Sequence, residues 1–169
     1  MNITLIGMPA AGKSVIGVLL AKKLGYDFVD CDLLIQKQEG CLLHEIIHAK
    51  GAEAFKQIEE QVNASLAVND TVIAPGGSVI YGEKAMQHLA EISFVVYLKV
   101  PYAELEKRLG DLEHRGVVLE DGMTLYDLYQ ERVPYYEKYS MMEVDETGKT
   151  AAEVVKEIIS RLEKMRGIL

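Results

Sequence analysis

Cysteine is scarce in this chain: Cys31 and Cys41 are the only two in 169 residues, and they stand at no metal-ligating or redox spacing. A disulfide scaffold is excluded, and a reducing, cytoplasmic setting is the expectation. Cys31, between Asp30 and Asp32, reads as a small strand residue rather than a reactive thiol. Basic charge is short too, with 18 Lys+Arg against 26 Asp+Glu and a formal net charge of −8. Nucleic-acid binders carry the opposite sign, gathered on one face, so no such partner is expected. Long apolar runs are missing. The longest, VIGVLLA, stops at Lys22 and Lys23, far short of a membrane span, and no membrane partner is expected. The first residues lack the basic stretch and cleavage site of a secretory leader, so none is expected. No repeat, low-complexity tract or linker interrupts the chain, which reads as one domain over 1–169 and as a monomer.

What the chain does have is alternation. NITLIG (2–7), DFVDC (27–31), TVIAP (71–75), SFVVYL (93–98) and MMEVD (141–145) are short β-branched runs that read as strands covered on both faces. Helical periods lie between them: Lys13–Leu24 stopped by Gly25, a pair within 33–68, Glu83–Ala90 and Tyr102–Leu109. The last helix is announced by a capping box, Thr150 with Glu153. It carries one apolar stripe of Val154, Val155, Ile158, Ile159, Leu162 and Met165. Strands and helices in this order predict an α/β fold, a parallel sheet with helices on both faces.

Between the first strand and the first helix stands GMPAAGKS, residues 7–14, which fits G-x-x-x-x-G-K-[ST] in the setting that motif requires. Gly7 and Gly12 let the backbone curl until several N–H groups converge on one anion, with the positive end of the helix behind them. Lys13 supplies a mobile charge for β- and γ-phosphates. The Ser14 hydroxyl suits a Mg²⁺ shell, which takes few protein ligands and keeps its waters. Asp30 and Asp32 end the second strand two residues apart, hence on one face, where a parallel sheet gathers its ligands. One can serve water-ligated Mg²⁺ and the other can take a hydroxyl proton. Alternatively both cap the helix that follows. HEIIH (44–48) matches the H-E-x-x-H zinc helix, but neither His88 nor His114 stands in a third-ligand context. His44 and His48 therefore read as solvent-side residues about an exposed Glu45.

The phosphate loop, FVDCD, GAEAFKQIE, PGGS, RLGDLEHRGVVL and RVPYYEKY follow one another in the order seen in the shikimate kinase family, which the chain resembles over most of its length. The resemblance implies a three-layer P-loop kinase fold: five parallel strands ordered 2-3-1-4-5, a substrate-binding helical section (33–68) and a lid (110–124). It implies ATP-dependent phosphorylation of a shikimate hydroxyl, with Mg²⁺. Ala11, Gly12, Lys13, Ser14, Val15 and Ile16 would wrap the ATP phosphates, Ser14 would meet Mg²⁺, and Asp30 would sit by a metal-bound water. Asp32 would bind ring hydroxyls and act as base, while Gly76 and Gly77 would close on the substrate. Arg115 would be the lid arginine at the γ-phosphate, Arg108 would stack near adenine, and Arg132 would grip the carboxylate with Lys56. Read without the family, Arg115 is an exposed loop charge and Arg132 a helix-end cation ahead of Pro134. Tyr126, Tyr129, Tyr135, Tyr136 and Tyr139 read as an aromatic patch between lid and core.

The chain departs from the family pattern mainly on the acceptor side. Lys56 stands where the family has arginine, so a planar fork becomes a point charge. Ser78 replaces a third glycine, Pro75 stiffens its approach and Gly116 replaces a proline after Arg115. Val15 and Val18 replace a frequent threonine and arginine. An anionic hydroxy acid remains the expected substrate, shikimate first. A kinase of another small hydroxy acid and a catalytically inactive ATP-binding regulatory domain are the alternatives.

Overall fold

The computed structural model describes residues 1–109 and 122–166. Five strands form one sheet: β1 (Asn2–Ile6), β2 (Asp27–Asp30), β3 (Thr71–Ala74), β4 (Ser93–Lys99) and β5 (Met142–Asp145). Every pairing is parallel and the order is β2-β3-β1-β4-β5, as expected from the resemblance. β1 sits at the centre, in register with β3 through Ile3↔Val72 and with β4 through Leu5↔Val96. All five residues of β1 and all four of β3 are buried, which is why their sequences read as continuous apolar runs. β5 is an edge strand and alternates: Met142 and Val144 point inward, Glu143 and Asp145 outward. Ile3, Leu5, Ile73, Val95, Val96 and Leu98 are wholly removed from solvent, and truncating any one to alanine is worth about 2–5 kcal/mol.

The helices are α1 (Lys13–Leu24), α2 (Cys31–Glu39), α3 (Leu43–Lys50), α4 (Ala52–Ala64), α5 (Glu83–Ile92), α6 (Tyr102–Arg108), α7 (Leu125–Tyr139) and α8 (Ala151–Arg166). A 3₁₀ turn spans Val79–Tyr81. Among the described residues no helix is long and apolar enough to cross a membrane.

Three expectations are corrected. The segment 33–68 holds parts of three helices rather than a pair, because Gly40 and Gly51, at φ 72° and 86°, break it twice. Those helices enclose a second apolar cluster of Ile35, Ile46, Phe55 and Val62. Cys31 belongs to α2, not to a strand: β2 ends at Asp30, whose carboxylate accepts from the N–H groups of Asp32 and Leu33 and starts the helix there. Asp30 and Asp32 therefore do not share a strand face. Arg132 is not at a helix end either, since α7 runs through Pro134 to Tyr139. Its tyrosines are spread around it. Tyr136 is buried and stacks on Tyr97 at 5.2 Å, Tyr126 and Tyr129 meet Tyr102, and Tyr135 meets Tyr81.

The capping box of α8 is formed: the Glu153 carboxylate accepts from the N–H and hydroxyl of Thr150 at 2.8 Å each. Val154, Val155, Ile158 and Leu162 are buried beneath it, whereas Met165, the last of the expected stripe, is exposed. Thr150→Ala removes the cap oxygen and should lower unfolding free energy by about 1 kcal/mol, read as a shift of the urea midpoint at unchanged slope.

Candidate active site

The chain crosses from β1 to α1 at the place where the strand order reverses, between β3 and β4, and the loop of residues 7–12 fills that crevice. Gly12 takes φ 76° as the residue before α1. The first intrahelical bond runs from the Ile16 N–H to Gly12 O at 2.8 Å, so the amides of Lys13, Ser14 and Val15 have no helical acceptor. All three residues line a cleft of about 330 Å³. Ala11 and Ile16 lie beneath it with buried side chains and amides already bonded, that of Ala11 to Met8 O. Lys13 folds back, donating to the carbonyls of Gly7 at 2.9 Å and Met8 at 3.0 Å. Burial lowers its pKa to about 8, with Asp32 opposing.

Across the cleft stand Asp30, Asp32, Glu59, Gly76, Gly77, Ser78 and Arg132. Asp30 does two things. Its Oδ1 caps α2 while its Oδ2 accepts from the Ser14 hydroxyl at 2.7 Å, so it starts that helix and also lines the cleft. Asp32 occupies the first turn of α2, where burial raises its pKa to about 6, countered by Lys13 and reinforced by Asp30. The same burial, with Asp32 and Asp30 adding to it, holds the Cys31 thiol far above its usual range and leaves it inert.

Glu59 was not expected. It is buried on α4, its pKa raised to about 7 by burial, and it accepts from the Ser78 hydroxyl at 2.5 Å. Ser78, which replaces a glycine of the family pattern, thus supplies a hydrogen bond. A signal for Glu59 existed: it falls four residues after Phe55, inside the buried stripe of Phe55, Val62 and Asn63, where a charge needs a reason.

Arg132 is 2 % exposed. Its Nε donates to the Tyr81 hydroxyl at 3.3 Å, and among the described residues no carboxylate makes an ion pair with it. Lys56 is outside the cleft lining. It pairs with Glu53 at 3.0 Å and lies over the Tyr81 ring. Arg108 is elsewhere again, in a second cleft of about 220 Å³ with Val100, Pro101, Glu146 and Gly148. Its guanidinium donates to Ala10 O at 3.3 Å and Glu146 at 3.1 Å, tying that cleft to the phosphate loop. Arg115, Gly116 and the greater part of the expected lid lie outside the described residues. His44 and His48 are exposed, as is Glu45, whose carboxylate accepts from the Leu42 N–H as a helix cap. No cluster of three metal-ligating side chains occurs among the described residues.

The arrangement can therefore hold a polyanion on backbone amides and Lys13, present a partly desolvated carboxylate beside it, and bind a second anion at a buried guanidinium. Gly76 shows how tight the closure is. A Cβ there would stand 2.3 Å from Glu59 Oε1 and 2.9 Å from Asp32 Oδ1. Gly76→Ala must displace both carboxyls and should lower kcat/KM for the acceptor by about a hundredfold, while circular dichroism and the unfolding midpoint show a folded protein.

A family model described as shikimate kinase matches residues 9–163. A shikimate kinase of Clostridium botulinum (strain 657 / Type Ba4) is 39% identical over 141 residues, covering 81% of this chain and 83% of its own. That of Thermodesulfovibrio yellowstonii is 34% identical over 167 residues, covering 97% and 96%. Among solved structures, shikimate kinase from Acinetobacter baumannii in complex with shikimate superposes with a TM-score of 0.89 at 26% identity, covering 96% of this chain and 93% of that one. The Aquifex aeolicus shikimate kinase superposes at 0.82 with 30% identity and 98% of each chain covered.

Proposed function

This chain belongs to the shikimate kinase family, and from that premise we propose that it transfers the γ-phosphoryl group of ATP to a hydroxyl of shikimate in the cleft between α1 and α4. The observation that supports an acidic acceptor is Arg132, a buried guanidinium with no carboxylate ion pair among the described residues. A buried charge needs a counter-charge, and a carboxylated substrate supplies it.

The residues take the following roles. The amides of Gly12, Lys13, Ser14 and Val15 cradle the phosphates, with Lys13 swinging from its carbonyl contacts onto the β- and γ-oxygens. Ala11 and Ile16 support that cradle from below, and Arg108 borders the cleft that takes adenine. Ser14 and Asp30, hydroxyl against carboxylate at 2.7 Å, are hard oxygen donors beside the cradle and fit Mg²⁺, Asp30 through water. When bound, that ion neutralises charge on the phosphate oxygens. Asp32 faces the acceptor. The acceptor oxygen forms its bond to the γ-phosphorus, its proton passes to Asp32, and the bond to the β–γ bridging oxygen breaks to release ADP. Gly76 and Gly77 let the backbone approach the substrate, Arg132 in the cleft wall receives its carboxylate, and Lys56, which lies outside that wall, leaves Glu53 to join it. Arg115 completes the charge around the transferred group as the lid arginine. We further propose a cytoplasmic monomer that binds neither nucleic acid nor membrane.

An ADP-release assay with shikimate and ATP tests the assignment; turnover confined to a different hydroxy acid would overturn the substrate. Asp32 must be ionised to accept a proton and Lys13 charged to hold phosphate. Activity in kcat/KM should therefore fall as pH drops through about 6 and again as it rises through about 8. Asp32→Asn should cost about 10²–10⁴ in kcat and leave ATP binding intact, measured by titration calorimetry. Lys56→Arg restores a fork and should lower KM for shikimate about tenfold, with KM for ATP unmoved.

A further inference from the structure

Tyr81 ends the 3₁₀ turn that follows Gly76 and Gly77, and it touches both cations that the acceptor reading assigns to the carboxylate. Lys56 Nζ lies over its ring at 5.0 Å from the centroid and Arg132 Cζ at 5.4 Å. Its hydroxyl accepts from Arg132 Nε at 3.3 Å and donates to Glu131. The Tyr135 ring meets it edge-on at 5.7 Å, which fixes its plane. No other described residue contacts Lys56 and Arg132 together by these interactions.

Two like charges on one ring repel, so the pair is stable only with negative charge close by. Glu53 supplies some to Lys56, but its side chain is 81% exposed and the pair is screened by water. Arg132 makes no carboxylate ion pair among the described residues, and the negative charge of Glu131 and Glu59 reaches it indirectly, through the Tyr81 hydroxyl and through space. The pair thus retains capacity for one more anion. The ring also restricts Lys56, whose four-carbon stem would otherwise sample many rotamers and lose that freedom on binding.

We propose that Tyr81 is a positioning residue that gathers Lys56 and Arg132 into one carboxylate-recognising pair and so sets the preference for acidic over neutral acceptors. This rests on the reading that those two cations meet the acceptor's carboxylate. It assigns to an aromatic ring the orienting that the planar fork of an arginine would otherwise supply at position 56.

The test is titration calorimetry of wild type, Tyr81→Phe and Tyr81→Leu with shikimate, with the carboxamide of shikimate and with ATP. Tyr81→Leu removes ring and hydroxyl and should weaken shikimate about tenfold to a hundredfold. Tyr81→Phe keeps the ring and the fold but takes an acceptor from Arg132, and should weaken it about threefold to tenfold. Affinity for the carboxamide and for ATP should stay within about twofold. Equal losses for acid and carboxamide, or no loss for the acid, overturn the proposal. A wild type that binds a different hydroxy acid but not shikimate overturns the substrate assignment alone, and that acid with its amide then becomes the probe pair. A wild type that binds no carboxylated acceptor overturns both.

Discussion

A guanidinium removed from water and given no carboxylate ion pair by the described residues is an interaction only half made. Arg132 reaches that state because α7 continues through Pro134 and seats it against the turn after β3, while Tyr136, one turn on, anchors the helix by donating its hydroxyl to Gly77 O at 2.6 Å. The cost of holding such a charge is offset in part by a nearby carboxyl and would be offset further by a negative group from outside. Asp32 and Glu59 are not that outside group. Both line the cleft with Arg132; Glu59 gives it partial compensation through space, and burial leaves the two carboxyls with raised pKa values, about 6 for Asp32 and about 7 for Glu59. On the proposed function, a substrate that brings its own carboxylate would complete the charge balance.

The centre of the sheet was legible in the sequence because parallel strands covered on both faces, as β1 and β3 are, must be apolar throughout, whereas the edge strand β5 alternates. The phosphate loop was legible for a different reason: its glycines and lysine sit at a fixed spacing beside one strand and one helix. The helices of 31–64 were harder. Their interruptions depend on two glycines at positive φ, and a glycine in a helical pattern does not announce which side of the break it serves. A strand that reaches Asp32 runs two residues past the end of β2, because the capping carboxylate of Asp30 turns the chain into a helix at Cys31. The one signal for Glu59, a charge inside a buried helical stripe, does not name its partner, and Tyr81 has no local pattern to mark it. Their partners are 19 and 51 residues away in sequence, at Ser78 and Arg132, and only the fold brings them together.

The two halves of the cleft are built from different material, and this explains where the chain has departed from its relatives' pattern. The nucleotide side rests on backbone amides at a helix start and on one lysine, so Val15 can replace threonine without touching the groups that bind phosphate. The acceptor side rests on side chains whose positions are set by other side chains: Ser78 on Glu59, Tyr81 on Arg132 and Lys56. A change in one member of such a set alters what its neighbours can do, and the measured cost of any single change depends on the others.

Lys56 and Ser78 therefore belong to one argument. An arginine at position 56 could orient itself by its fork; a lysine cannot, and here its ammonium is committed to Glu53 and to the Tyr81 ring rather than to Glu59. Glu59, buried and without a cation within ion-pair distance among the described residues, takes its hydrogen bond from the Ser78 hydroxyl instead. The serine reaches that carboxylate from the turn in which Gly76 and Gly77, without side chains, line the cleft. Restoring arginine at position 56 alone would leave Ser78 holding Glu59, so the two positions should be energetically coupled rather than additive.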